Sequence, residues 1–303
     1  MQKPENKNTV HGWLVLDKPL GLTSTQALGR ARRLLGGKKV GHGGTLDPLA
    51  TGVLPLAFGE ATKLIPYVMD GEKEYEFTVR WGEARSTDDA EGEVIARSEV
   101  RPTAAQIREI LPTFTGVITQ KPPAFSAIKV QGERAYDLAR AGENVDLVPR
   151  EVVVKLFELI EVIDKDNASF RVLCGKGTYV RALARDMAVR MRTLGYVCAL
   201  RRTKVGPFDI EKAVSMESLE RLSPENAVLT ALLPIKAGLG VIPTLSLTSN
   251  EANTLRLGQK ILIKPQHGAL FEFPMAFAEY NGVPIALVEI VAGEFKVLRG
   301  FHF

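Results

Sequence analysis

"GHGGTLDPLATGVL" spans residues 41–54, and its one acid, Asp47, stands between a glycine-rich approach and Pro48. From Lys18 to Leu46 the chain holds six lysines or arginines and no acid. Asp47 therefore enters a locally positive neighbourhood, which favours its ionised form. The glycines permit backbone angles closed to other residues, and Pro48 steers Asp47 away from helix. Two readings stay open at this point. A pinned, ionised carboxylate can act as a nucleophile. An Asp-Pro in a loop can equally be an Asx-type turn with a structural carboxylate.

Working outward, Thr23 or Ser24 can cap a helix whose apolar stripe is Ala27, Leu28, Ala31, Leu34 and Leu35, closed by Gly36-Gly37. Its other face carries Arg30, Arg32 and Arg33, and Lys38 and Lys39 follow. Downstream, "EYEFTVRW" alternates as a strand, with Tyr75, Phe77, Val79 and Trp81 on one face. "TAAQ" at 103–106 is a capping box. Residues 119–150 are long and polar for an internal segment, with a short helical pattern around Ala135–Arg140. Two strands are expected at 152–163 and 168–174, then a helix with Thr178 as N-cap and a stripe of Val180, Leu183, Ala184, Met187, Ala188 and Met191. Arg181 and Arg185 fall off that stripe. Residues 224–243 are rich in Pro and Gly and read as a linker. Beyond them come a short helix at Ser249–Leu257, closed by Gly258, and a β-like remainder with an Asn281-Gly282 hairpin signal.

The chain has 303 residues, 45% hydrophobic and 24% charged, enough for one large or two smaller globular domains. No apolar run approaches the ~20 residues of a membrane span, and the start "MQKPENKNTVHGW" lacks the apolar core of a secretion signal. A cytoplasmic location is expected, without membrane partners. Cys174 and Cys198 have no metal or redox spacing and read as reduced core residues. His11, His42, His267 and His302 are scattered, so no metal is expected; His42, close before Asp47, is the one worth a functional reading. No dinucleotide or P-loop fingerprint is present, so no cofactor is expected. The net charge is +4, and positive charge is segregated: residues 167–208 carry nine lysines or arginines and one acid, while 70–99 carry ten acids and four bases. A polyanion is the natural partner. Tyr75 and Tyr179, near basic residues, could stack on an unstacked base or belong to the core.

Four blocks, "GWLVLDKPLGLTS", "VGHGGTLDPLATGVLPLAFGEATK", "KPPAFSAIKVQGERAYDLARAGE" and "GKGTYVRALARD", occur in that order over roughly residues 10–210. Together they resemble the TruB family, tRNA pseudouridine synthases that act on uridine 55 in the T-arm. The resemblance implies an α+β fold: a catalytic domain (1–235) on a mixed, mainly antiparallel sheet with flanking helices, and a small β-rich PUA-like RNA-binding domain (241–303). It implies Asp47 as the catalytic aspartate, Tyr75 as the tyrosine packing on the target base, and Arg181 as the arginine paired with Asp47. It implies substrate-binding roles for His42, Tyr179, Leu200 and Lys18, and an RNA-gripping insertion at about 119–150. The partner would be the tRNA T-arm stem-loop, the protein a monomer, and the reaction free of metal and cofactor. Gly43 departs from the family pattern, which expects a polar residue, usually threonine; Phe125 stands where tyrosine is expected. An aspartyl-phosphate former would need Mg²⁺ and further acids, against the acid-free surroundings of Asp47. A non-catalytic RNA-binding protein or tRNA-folding chaperone would use the same basic faces but release no product.

Overall fold

The computed structural model describes residues 10–126, 128–130, 132–143, 145–222 and 227–303. Strand β1 (Gly12–Lys18) is buried along nearly its whole length, as its unbroken apolar run requires. Helix α1 (Ser24–Leu35) follows, with a capping box between Thr23 and Gln26 and a left-handed Gly36 at its end. Then come β2 (Val40–His42), β3 (Ala50–Phe58), α2 (Ile65–Asp70) and β4 (Lys73–Trp81). A small ribbon, β5 (Glu83–Arg85) with β6 (Val94–Arg97), precedes α3 (Ala104–Ile110), whose capping box joins Thr103 and Gln106.

After β7 (Gly116–Gln120) the long polar segment carries a second ribbon, β8 (Lys129–Val130) with β9 (Glu133–Arg134), and helix α4 (Ala135–Arg140). The chain returns in β10 (Arg150–Val162) and β11 (Asn167–Cys174), then α5 (Val180–Arg190), β12 (Gly195–Val205), β13 (Phe208–Asp209), β14 (Val214–Ser215) and α6 (Met216–Leu222).

The main sheet runs β14-β1-β3-β12-β4-β11-β10-β7, with β2 on β3 and β13 on β12. Its pairings are antiparallel except β1 with β14 and β3 with β12. This is the expected α+β architecture. One core lies between α3, α5 and the faces of β4, β10 and β11, built on Phe77, Val79, Trp81, Phe170 and Met187. A second lies between α1, α6 and strands β1 and β3, built on Leu14, Leu16, Ala27, Ala31 and Leu54. Strand β12 sits between them, so the loop before β3 and the start of α5 meet over its middle.

Two local expectations change. Helix α5 is capped at Tyr179 rather than Thr178, and Tyr179 offers no side-chain cap. The Thr178 hydroxyl instead donates back to the Gly175 carbonyl, closing the preceding turn. Residues 224–226 of the expected linker lie outside the described residues. The following part is ordered: Val228 and Ile235 are buried, Trp13 and Leu233 exchange backbone hydrogen bonds, and the Trp13 indole donates to the Ile235 carbonyl. Pro and Gly mark its turns but say nothing of what those turns pack against.

The C-terminal residues form a second sheet, β15 (Thr244–Ser246), β16 (Ile261–Leu262), β17 (Met275–Tyr280), β18 (Val283–Val291) and β19 (Glu294–Gly300), in the order β15-β17-β18-β19-β16. Helix α7 (Ser249–Arg256) packs on it through Ala252 and Leu255. Asn281 and Gly282, both at positive φ, turn β17 into β18 as their sequence predicts. Among the described residues no helix is long and apolar enough to cross a membrane.

Candidate active site

Asp47 lies on the loop that enters β3, and the surrounding chain holds that loop from several sides. The buried Ser24 hydroxyl donates to the Leu46 carbonyl (3.0 Å) and accepts from the Leu46 N–H (2.8 Å). The Asp47 carbonyl accepts from the Ala50 N–H (3.0 Å). Lys18, fully buried, donates through Nζ to the carbonyls of Pro19 (2.9 Å) and Leu22 (2.6 Å) and reaches that of Pro48 at 3.5 Å. Burial lowers the Lys18 pKa to about 8, against the opposing pull of Asp47. Lys18 thus acts on the loop backbone and not on the pocket surface.

Arg181, on the first turn of α5, meets Asp47 across the pocket: Nη2 stands 3.0 Å from Asp47 Oδ2. The arginine is buried and the carboxylate is 39% exposed, so one partner is fixed and the other is open to the pocket. The same guanidinium stands 3.3 Å from Asp89 Oδ2 through Nη1, and donates to the carbonyls of Thr87 (2.9 Å) and Phe125 (2.8 Å). Off the apolar stripe, Arg181 is nonetheless buried, because two carboxylates and two carbonyls satisfy it. Asp89, almost fully buried, accepts from the Thr87 hydroxyl and the Glu91 N–H.

A pocket of about 170 Å³ opens over the Asp47–Arg181 pair, lined by Thr45, Leu46, Ala50, Tyr75, Ser126, Thr178, Tyr179, Val180 and Leu200. Tyr75 and Leu200 come from the neighbouring strands β4 and β12, offset by two residues: Tyr75 pairs with Arg202 and Leu200 with Phe77. Burial raises the Tyr75 phenol pKa, with Arg202 opposing, so the ring stays neutral. The sheet and α5 therefore bring together Asp47, Tyr75, Tyr179, Arg181 and Leu200. His42 lies on β2, outside that lining, with Nδ1 buried and no hydrogen-bond partner among the described residues. Burial, aided by the Arg202 charge, lowers its pKa, favouring the neutral ring.

Two residues of this site escape sequence reading. Asp89 sits in the acid-rich 70–99 stretch, where nothing singles it out. Arg202 is buried, and donates to the carbonyls of Val53 (2.8 Å), Gly44 (2.9 Å) and Thr45 (3.3 Å). Its signal was available in principle: Leu200 and Arg202 share a strand face by the two-residue period, while Arg201 turns the other way to pair with Asp17. The two departures also find places. A Cβ at residue 43 would stand 2.9 Å from Val68 and 3.3 Å from Pro55, so the chain is closed around glycine there. Phe125 serves Arg181 through its carbonyl, which any residue supplies. Among the described residues no three or more His, Cys, Asp or Glu are grouped to hold a metal ion.

Both the sequence and the fold have counterparts among known proteins. The family model for the N-terminal domain of TruB family pseudouridylate synthases matches residues 32–180, and that for the tRNA pseudouridylate synthase B C-terminal domain matches 181–239. The chain is 50% identical to tRNA pseudouridine synthase B of Bradyrhizobium diazoefficiens, covering 99% of this chain and 88% of that protein. It is 48% identical to the protein of that name from Rhodospirillum rubrum, over 99% of both. Among solved structures, one chain of a Cbf5–Nop10–Gar1 complex superposes with a TM-score of 0.72 at 21% identity, over 99% of this chain and 87% of that one. One in an H/ACA RNP bound to a substrate RNA containing 2′-deoxyuridine gives 0.71 at 20%, over 97% and 86%; at such identities the likeness is one of fold.

The family models and the full-length relatives together define a pseudouridine synthase, an isomerase that turns uridine in RNA into pseudouridine. The chain belongs to the TruB family.

Proposed function

We propose that the protein converts uridine 55 in the T-arm of tRNA to pseudouridine, using Asp47 as the catalytic carboxylate. The observation that carries this reading is the Asp47–Arg181 pair, 3.0 Å apart beneath a pocket walled by Tyr75, Tyr179 and Leu200. The isomerisation breaks the bond between uracil N1 and ribose C1′, turns the base, forms a bond from C5 to C1′, and releases the C5 hydrogen as a proton while N1 takes one up. A half-exposed carboxylate held by a buried guanidinium is suited to attack or to take up a proton. A uridine stacked in a folded loop cannot reach so enclosed a site, so it is flipped out, at a cost of a few kcal/mol. Tyr75 and Tyr179 then offer rings to its faces, and basic residues of 30–39 and 167–208 hold phosphates. Residues 1–235 form the catalytic domain, 119–150 the RNA-gripping insertion, and 241–303 a PUA-like RNA-binding domain. His42 helps hold the flipped nucleotide. The enzyme acts as a cytoplasmic monomer without metal or cofactor.

The test is a tRNA transcript carrying tritium at uridine C5. One tritium per product is expected in water, in excess EDTA and without ATP, and only where position 55 is uridine. Asp47→Asn should abolish release while tRNA affinity stays within a few-fold. Release by the Asn variant within tenfold of wild type would sink the assignment of Asp47. No release by the wild type from tRNA it demonstrably binds would sink the reaction.

A further inference from the structure

The insertion leaves the sheet at Gln120, the last residue of β7, and returns at Arg150, the first of β10. These two residues face each other across the antiparallel pair and close the base of the loop. Both grip the same short segment, the turn between β11 and α5. Gln120 is 1% exposed. Its Nε2 donates to the Tyr179 carbonyl at 3.1 Å, and its Oε1 accepts from the Tyr179 N–H at 2.8 Å. A buried carboxamide thus commits both its polar ends to one residue's backbone. Arg150 donates through Nη2 to the Gly177 carbonyl at 2.5 Å, and its guanidinium carbon lies 5.4 Å from the centre of the Tyr179 ring. Gly177 has φ +82°, and a Cβ there would stand 3.2 Å from Arg150 Nη2.

Tyr179 is a wall of the pocket and the N-cap residue of α5, two positions before Arg181. No side chain of the turn caps this helix; from another strand, Gln120 accepts from the free Tyr179 N–H and shares the Tyr179 carbonyl with the Leu183 N–H (3.1 Å). The first residues inside the insertion hold the same helix: the Phe125 carbonyl accepts from Arg181 and the Lys121 carbonyl from Arg185, each at 2.8 Å.

We propose that Gln120, backed by Arg150, is a positioning residue for the isomerisation: it fixes the Tyr179 backbone, and with it the pocket wall and the helix start that aims Arg181 at Asp47. The base of the insertion is thereby bolted to the reacting site, so an RNA-induced shift of the insertion reaches Tyr179 and Arg181 through the Gln120–Tyr179 and Phe125–Arg181 hydrogen bonds. The inference rests on the proposed reaction at Asp47. A misplacement of about 1 Å in such a wall costs up to roughly a hundredfold in rate.

The test is single-turnover tritium release from C5-labelled tRNA at saturating enzyme, with tRNA affinity measured separately. Gln120→Ala should slow release about 10- to 100-fold with affinity within about threefold. Gln120→Glu adds a readout that a general loss of stability would not move. Ionised, its carboxylate repels the Tyr179 carbonyl. Protonated, it restores one donor and one acceptor. Burial raises such a carboxyl's pKa, so the rate of this variant relative to wild type should climb as pH falls, while that of Gln120→Ala stays flat. Arg150→Lys, which keeps the charge but loses the planar group over Tyr179, should give a smaller slowing. A Gln120→Ala rate within twofold of wild type would overturn the proposal. So would a defect confined to affinity, or a Gln120→Glu ratio that does not change with pH. If Gln120→Ala does not fold, the Gln120→Glu series and Arg150→Lys decide. An inactive wild type brings down the reaction itself, whereas an active wild type with unimpaired variants brings down the positioning role alone.

Discussion

At the scale of single residues the site is a question of which charges face which. Arg181 spends its two terminal nitrogens on Asp47, Asp89 and two carbonyls. A lysine has the charge but one nitrogen, and it cannot span carboxylates on opposite sides of a planar fork. Arg181→Lys should therefore slow single-turnover conversion by about tenfold or more while the protein remains folded; an unchanged rate would remove Arg181 from the orienting role. The pairing of Arg181 with Asp47 was legible only through the resemblance, because nothing in spacing joins residues so far apart. Asp89 was not legible at all. What aims it is a backbone feature, the positive φ of Asp88 just before it, and a run of acids conceals such a turn. Arg202 was hidden in the same way, in a basic run that reads as one solvated face until strand alternation splits it.

At the scale of elements, local signals were reliable where the chain acts on its near neighbours. The capping box at Thr103 and the helix-ending Gly36 stand where the sequence puts them, and of the two cap candidates Thr23 and Ser24 the structure takes Thr23. Thr178 failed as a cap because the helix begins one residue later and its hydroxyl closes the preceding turn on Gly175 instead. Strand order was likewise illegible: β12 enters between β3 and β4, a long-range pairing that no local pattern encodes. Helix α1 shows how an element serves the site. Thr23 caps the helix, whereas Ser24 turns inward and makes both hydrogen bonds to Leu46, the residue before Asp47. Thr23→Ala should cost about 1 kcal/mol of stability and leave the single-turnover rate unchanged. Ser24→Ala leaves a buried N–H and carbonyl unpaired, at about 1–3 kcal/mol, and frees the loop. It should slow conversion as well as lower the denaturation midpoint. Equal effects of the two substitutions on rate would mean that α1 does not anchor the Asp47 loop.

At the scale of the whole molecule, the two sheets share a core. Phe277, Leu287 and Phe301 of the C-terminal part lie in one buried cluster with Trp13, Val53, Ala57 and Phe208. Polar contacts rim that cluster. Lys63 donates to the Gly300 carbonyl at 2.6 Å, Glu60 accepts from the His302 N–H at 2.9 Å, and the rings of His11 and Phe303 stand 4.9 Å apart. The sequence suggested a second domain from the Pro- and Gly-rich stretch at 224–243 and the β-like remainder, and held no sign of this seam, since its apolar residues are those any core would use. A shared core predicts shared unfolding. Calorimetry at neutral pH should show one cooperative transition for the full chain, and two resolved transitions would refute a common core. Glu60 gives the seam a pH dependence. Burial pushes its pKa up, but Lys63 and the His302 N–H more than offset this, so its folded pKa lies below the ordinary value of 4.5. The folded state therefore holds the Glu60 proton less tightly than the unfolded state does. Its contribution is fully present above the unfolded value and is lost as pH falls through the lowered folded one. Glu60→Gln should lower the melting temperature at pH 7, and the gap to wild type should close as the pH drops below 4.5. A gap that stays constant into acid would show that the Glu60 carboxylate does not help hold the C-terminal sheet against the catalytic one.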